Sequence, residues 1–331
     1  MSVPVEREQI AGAPVPTAVP WQRAAEYVLV IATLVEVAIF AFAAPGFFSV
    51  ANALNIALSI AVTGILAVGA TAVILTAGID LSVGSVVALT GVTGAMAAAA
   101  SGMPALAALA VALIVGTATG VVNGTLIAYF RVQPFIATLA LLTIARGLAF
   151  IISGGRSIGN LGPTFGILGR SLVFGIPTPV IVMAIVMIAG AFVLKRTVFG
   201  RHIYAIGGNT EAAWLAGINV RWVIWLVYVL NGALSGLGGL TLASRLGAGV
   251  PDAGLQYELD VIAAVVVGGT SLFGGRGTIA GTLWGTVFIG VLMNGLNLAN
   301  VDPYVQKIAL GVVIVLAAVG DELTRKKRAA W

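Results

Sequence analysis

The 331-residue chain contains no cysteine and a single histidine, His202. Disulfides, thiolate nucleophiles and Cys-ligated metals are therefore excluded, and one imidazole cannot build a His cluster, so no metal site is expected. Charge is also scarce, with Asp, Glu, Lys and Arg at 9% of residues against about 25% in an ordinary soluble domain. A soluble enzyme does not fit that composition. The phosphate loop Gly-x-x-x-x-Gly-Lys-Ser/Thr is absent, so ATP hydrolysis by this chain is not expected. A net charge of +5 would suggest nucleic acid in a soluble protein. Here the basic residues fall mainly between hydrophobic blocks, which reads as membrane topology, and no nucleic-acid partner is expected.

Apolar residues are abundant, at 60%. They fall in about ten blocks near the roughly 20 residues a helix needs to cross a ~30 Å hydrocarbon core. A β-barrel would alternate polar and apolar residues in ~10-residue segments, and Ala61 to Ala77 does not. The expected fold is an all-α polytopic membrane protein. Walking between Gly, Pro and Asn breakers gives spans at 24–44, 54–77, 83–100, 104–130, 134–153, 176–195, 222–244, 258–273, 277–298 and 304–320. The short span at 258–273 and the polar loop at 154–175 are the places where a broken or interfacial helix would hide. Residues 1–23, with four prolines, read as a flexible tail, and 321–331 as a basic tail. The first apolar segment is too long for a signal peptide and carries Glu26 and Glu36, so it is expected to remain as the first helix. With both termini in the cytoplasm, 12 of the 17 Lys and Arg residues lie inside, as the positive-inside rule requires.

Gly116, Gly120 and Gly124 recur every four residues in the fourth span, and Gly277, Gly281 and Gly285 do so in the ninth. Such ladders let helix backbones approach closely. Spans four and nine are five apart and cross in opposite directions, the relation that a five-plus-five inverted repeat produces.

The longest inside loop, 195–221, holds the most informative stretch. Asn209 or Thr210 can cap a short helix with Glu211 in its first turn, and Gly217 can end it. Ala212, Trp214, Leu215 and Ala216 would give that helix an apolar surface, suited either to a groove on a soluble partner or to the lipid interface.

Glu211-Ala-Ala-x-x-x-Gly217 resembles the coupling-loop motif of ABC importer permeases, and its setting, Phe199-Gly-Arg-His-Ile-Tyr-Ala-Ile-Gly-Gly-Asn209, resembles the version in permeases for ribose and related monosaccharides. Gly78-Ile-Asp-Leu-Ser-Val-Gly-Ser85 and Val266-Val-Gly-Gly-Thr-Ser-Leu-Phe-Gly-Gly-Arg-Gly-Thr278 are similar to the same family. The downstream Leu-Pro of longer coupling motifs is missing after Gly217. The resemblance implies a permease in a bacterial inner membrane, paired with a second copy or a paralogue. It would be driven by a cytoplasmic ABC ATPase that binds ATP and Mg and fed by a periplasmic sugar-binding protein, with no cofactor in this chain. Gly207, Asn209, Glu211, Ala212, Ala213 and Gly217 would then couple to the ATPase.

The competing class is an ion-coupled secondary transporter, which needs ionisable groups near the bilayer midplane. Glu36 and Arg146 are the deep candidates, with Asp260 and Lys307 nearer helix ends. Asp80 would cap the third helix after Gly78 ends the second, or touch substrate or ATPase. Thr270, Ser271, Gly274, Gly275 and Gly277 would form a tight inside turn or a broken-helix lining. A monosaccharide path needs sparse amides and hydroxyls. Asn55, Asn123, Asn231, Asn294 and Asn297 are the candidates, with interhelical hydrogen bonding as their alternative role.

Overall fold

The computed structural model describes residues 20–101 and 105–329, so nearly all of the proposed 1–23 tail lies outside the described residues. The chain is helical almost throughout. The helices are α1 (Pro20–Ala43), α2 (Val50–Leu75), α3 (Val83–Ser101), α4 (Ala105–Ala128), α5 (Pro134–Ser153), the single turn α6 (Ile167–Arg170), and α7 (Thr178–Arg196). They continue with α8 (Val198–Gly208), α9 (Thr210–Leu215), α10 (Val220–Leu246), α11 (Tyr257–Val267), α12 (Ile279–Leu298) and α13 (Pro303–Ala329). Among the described residues seven helices are long and apolar enough to cross a membrane: α2, α4, α5, α7, α10, α12 and Pro303–Glu322 of α13. Val28–Ala43 and Val83–Ala99 are shorter apolar stretches.

Local chemistry sets the boundaries. Pro134 stands at the first turn of α5, where a missing N–H costs nothing, and Gly154 closes that helix at φ +62°. Asn219 accepts from Trp222 N–H at the start of α10, and Gly247 ends it at φ +72°. Thr278 caps α12 by accepting from Gly281 N–H. The C-terminal stretch read as a basic tail continues α13 as helix through Ala329.

α2 and α10 are the most buried spans. They pack against each other, with α3, α4, α11 and α12 around them. The outer faces of α1, α5, α7 and α13 carry exposed Ile31, Ile144, Ile188 and Leu316, a lipid-compatible surface. The glycine ladder of α4 lies against α10. A Cβ on Gly116 would overlap Gly232, one on Gly120 would meet Tyr228 and Val229, and one on Gly124 would meet Trp225. Gly281 and Gly285 press in the same way on Gly268 and Ala264. Gly277 is no rung: it precedes α12 in the turn, at φ +154° against Thr270.

The stretch 258–273 is not a full span. α11 has 11 residues, about 16 Å of helix at ~1.5 Å per residue, roughly half the hydrocarbon thickness. The non-helical segment 247–256 leads to it from inside the bundle, alongside α3. A Cβ on Gly249 would strike Ala95, and one on Gly254 would strike Gly84 and approach Val87. Arg146 of α5 holds this segment by donating from Nη1 to Pro251 O and Ala253 O, both at 2.9 Å. The loop at 154–175 contains a 3-10 turn over 163–166, α6 and a two-residue hairpin over 172–177. Its Ile158 bridges to Gly249.

Candidate coupling and translocation site

The 195–221 loop folds as two helices, one more than its sequence suggests. Thr197 caps α8 by accepting from Gly200 N–H, and Asn209 Oδ1 accepts from Ala212 N–H at 2.9 Å to start α9. Gly217, at φ +83°, closes α9. Glu211, Ala212, Trp214, Leu215 and Ala216 are exposed, Trp214 at 66% and Leu215 at 73%. Ala213 is different. It is 4% exposed and joins the core with Ile203, Ile206 and Val223, so it seats α9 on its own chain, whereas the motif alone suggests a partner-facing alanine. The cause is rotation: at about 100° per residue, one side of so short a helix must face the bundle. A groove of about 850 Å³ separates α9 from the end of α4, lined by Arg131, Glu211, Trp214 and Arg221.

α8 is tied to the bundle at closely packed points. Gly207 leaves no room for a Cβ, because Leu75 O and Gly275 N occupy that space. Gly275 N donates to Leu75 O at 2.9 Å. Tyr204 Oη donates to Gly277 O at 2.8 Å, and burial pushes its hydroxyl above the ordinary tyrosine range. The stretch 268–278 is the tight turn. Ser271 N bonds Arg276 O at 2.8 Å, with Gly274 and Gly275 at positive φ. Ser271 Oγ donates to Asp321 Oδ2 at 2.8 Å, and Arg276 pairs with Asp321 at 3.4 Å, which attaches α13. The α8–α9 unit therefore bears directly on the end of α2 and on the turn between α11 and α12.

Asp80 does not cap α3. The residue that ends α2 in the left-handed region is Ala77, at φ +59°, two positions after Leu75, and Ser82 stands immediately before α3. Asp80 Oδ1 accepts from Ser82 N at 2.9 Å and from Ser82 Oγ at 2.6 Å, and Oδ2 accepts from Asn231 Nδ2 at 2.9 Å. Asn123 Nδ2 donates to Ser82 Oγ at 3.1 Å. One carboxylate thus joins the non-helical stretch 76–82 to α4 and α10. Asn294 and Asn52 exchange two hydrogen bonds at 2.9 and 3.0 Å between α12 and α2, while Asn55 and Asn297 face outward. Asn123, Asn231 and Asn294 thus hold helices together. Glu36 is buried, with both carboxylate oxygens unpartnered among the described residues.

Sequence reasoning missed a cavity of about 370 Å³ between α2, α11, α12 and α13. Its walls include Thr63, Gln256, Tyr257, Asp260, Thr286 and Lys307. These residues are scattered along the chain, and the only advance signal was the placing of Asp260 and Lys307 near helix ends.

Residues 52–318 match the family described as branched-chain amino acid transport system / permease component. The ribose import permease RbsC of Haemophilus influenzae is 45% identical over 302 residues, covering 90% of this chain and 93% of that protein. RbsC of Escherichia coli K12 is 48% identical over 296 residues, covering 88% and 92%. The xylose transport system permease XylH of E. coli K12 is 34% identical, covering 91% and 92%. No solved structure matches. The family consists of transport permeases and not of catalytic enzymes, in keeping with a multi-pass helical chain. The chain belongs to the branched-chain amino acid transport system / permease component family.

Proposed function

We propose that this chain is the membrane subunit of an ATP-driven importer of a monosaccharide of the ribose type. The named relatives carry ribose, D-allose and xylose, which favours a sugar over the amino acids in the family's title. The single observation that carries the coupling half of this reading is the α8–α9 unit. It exposes Trp214 and Leu215 while Gly207 and Tyr204 lock it to α2 and to the 268–278 turn. A cytoplasmic ABC ATPase would grip the exposed face of α9, bind ATP with Mg, and displace α8 and α9 as one body when it closes. The end of α2 and the turn before α12 would move with them and change access to the path between helices. A sugar-binding protein would deliver substrate from the opposite face, and two permease subunits would enclose the path.

Ten crossings with both termini inside agree with the charge distribution and with the helix bounds, counting α11 as a crossing completed by non-helical chain. An inverted repeat is supported by the way α2 passes through non-helical residues 76–82 into α3, while α10 passes through 247–256 into α11. The ion-coupled reading gains nothing from Arg146, whose guanidinium is engaged in holding 247–256.

The test is uptake of labelled ribose, allose and xylose into vesicles holding the chain, its ATPase and its binding protein. ATP-dependent uptake that an uncoupler does not reduce is the expected result. Uptake driven by an ion gradient with no ATPase present would overturn the proposal.

A further inference from the structure

The cavity between α2, α11, α12 and α13 is bordered by Leu255, Gln256 and Tyr257 at the start of α11, and Pro303, at the start of α13, forms part of its rim. At about 370 Å³ it falls toward the lower end of the ~300–1,000 Å³ usual for small-molecule sites. Its chemistry is uneven for a packing defect. Ile60, Ile289 and Leu310 give it apolar walls, whereas Thr63, Tyr257, Asp260 and Lys307 point polar groups into it. Asp260 and Lys307 attract each other without reaching ion-pair distance, and among the described residues none of the four makes a side-chain hydrogen bond. A polar group inside a membrane bundle is expensive unless satisfied. Thr63, Tyr257 and Asp260 are part-buried and Lys307 is exposed, so polar side chains that make no hydrogen bond within the chain gather around one open space that a ligand outside the chain can enter. Gln256 adds to this. It precedes α11 at φ +70°, a conformation costly for a residue other than glycine, and its side chain does not cap the helix but borders the same space.

We propose that this cavity is a transient binding site for a neutral monosaccharide on its way to the path that the two subunits enclose. The inference rests on the importer reading above and gives it a location. One carboxylate and one ammonium leave the walls without net charge, which disfavours a lone anion or cation. The mixture of acceptor, donor and amphoteric hydroxyl suits a polyol whose every oxygen both donates and accepts. The Tyr257 ring offers an apolar face to sugar C–H groups. The sparseness of the polar groups suits a path, where binding must be weak enough for release.

The absence of native cysteine makes the test direct. In the assembled complex with ATPase and binding protein, Thr63→Cys is reacted from the outer face with a membrane-impermeant thiosulfonate, with and without millimolar ribose, allose or xylose. Labelling slowed by at least one of these sugars is expected. In Asp260→Asn, Thr63→Cys, protection should need about tenfold more sugar, the effect of weakening a charge-assisted hydrogen bond. Labelling unaffected by all three sugars would overturn the proposal. So would labelling by a lipid-soluble maleimide alone, which would make the space a lipid cleft. Should Asp260→Asn fail to assemble, the single Thr63→Cys variant decides alone. Uptake by the complex carrying the unsubstituted permease is measured first. Its failure counts against the importer reading, whereas intact uptake with an unprotected Thr63→Cys counts against the cavity alone.

Discussion

Two stretches of non-helical chain enter the helix bundle, 76–82 after α2 and 247–256 after α10, and they are held in opposite ways. The first is tied by side chains: Asp80 accepts three hydrogen bonds, and Ser82, Asn123 and Asn231 make the link to α4 and α10, with Asn123 Oδ1 and Asn231 Oδ1 left unpartnered among the described residues. The second is held at its carbonyls by one guanidinium, Arg146, and opens at Gln256 onto a cavity where Thr63, Tyr257, Asp260 and Lys307 make no side-chain hydrogen bond among the described residues. Both solve the same problem, since backbone that leaves a helix inside a membrane must find other hydrogen-bond partners or line a polar space. A carboxylate that accepts three buried hydrogen bonds joins the chain stretch to two helices and acts as a joint. The open stretch leaves its chemistry for a passing solute.

The largest effect should come from breaking the Asp80 joint. Asp80→Ala strands the Asn231 amide and the Ser82 donors, at a cost of about 3 kcal/mol. Denaturation of the purified chain in detergent should report it. A cost near zero would mean that 76–82 is not held by this carboxylate. Arg146→Leu should cost somewhat less, about 2 kcal/mol for two released carbonyls, and should show mainly in the second segment, as faster labelling of a cysteine placed at Asp252. Equal labelling would remove Arg146 from its holding role. The smallest change belongs to Asn52→Ala. It removes an α2–α12 amide pair remote from both segments and should cost about 0.6 kcal/mol with uptake unchanged. Loss of uptake there would show that the distinction between joint and path is drawn in the wrong place.

Much of this architecture was legible because helix ends are local events. The α5 bounds follow from Pro134 and Gly154, and the start of α9 from Asn209. α11 was harder. Its apolar run continues to the edge of Gly268-Gly269, and hydropathy does not distinguish a half-length helix fed by buried extended chain from a span with blurred ends. Asp80 was recognised as an acceptor, but its decisive partner, Asn231, lies 151 residues away, beyond any capping rule. The inward turn of Ala213 depends on how α9 docks against α8 and α10, and the cavity joins Thr63 to Lys307 only after α2 and α13 have packed near α11. Local rules located the 195–221 loop, while packing alone determined which of its residues face out.

The central claim is that drive enters the permease through the exposed face of α9. Trp214 tests it most directly, since it is 66% exposed and outside every span. Trp214→Glu would place a carboxylate where a partner's apolar surface must close, and burying it unpaired costs several kcal/mol. The measurement is the amount of ATPase that co-purifies with the permease, normalised to permease in the membrane. The account predicts unchanged membrane content, at least about a tenfold loss of bound ATPase for a cost of that size, and loss of ATP-driven uptake. A Trp214→Glu permease that retains its ATPase and transports at the wild-type rate would contradict it.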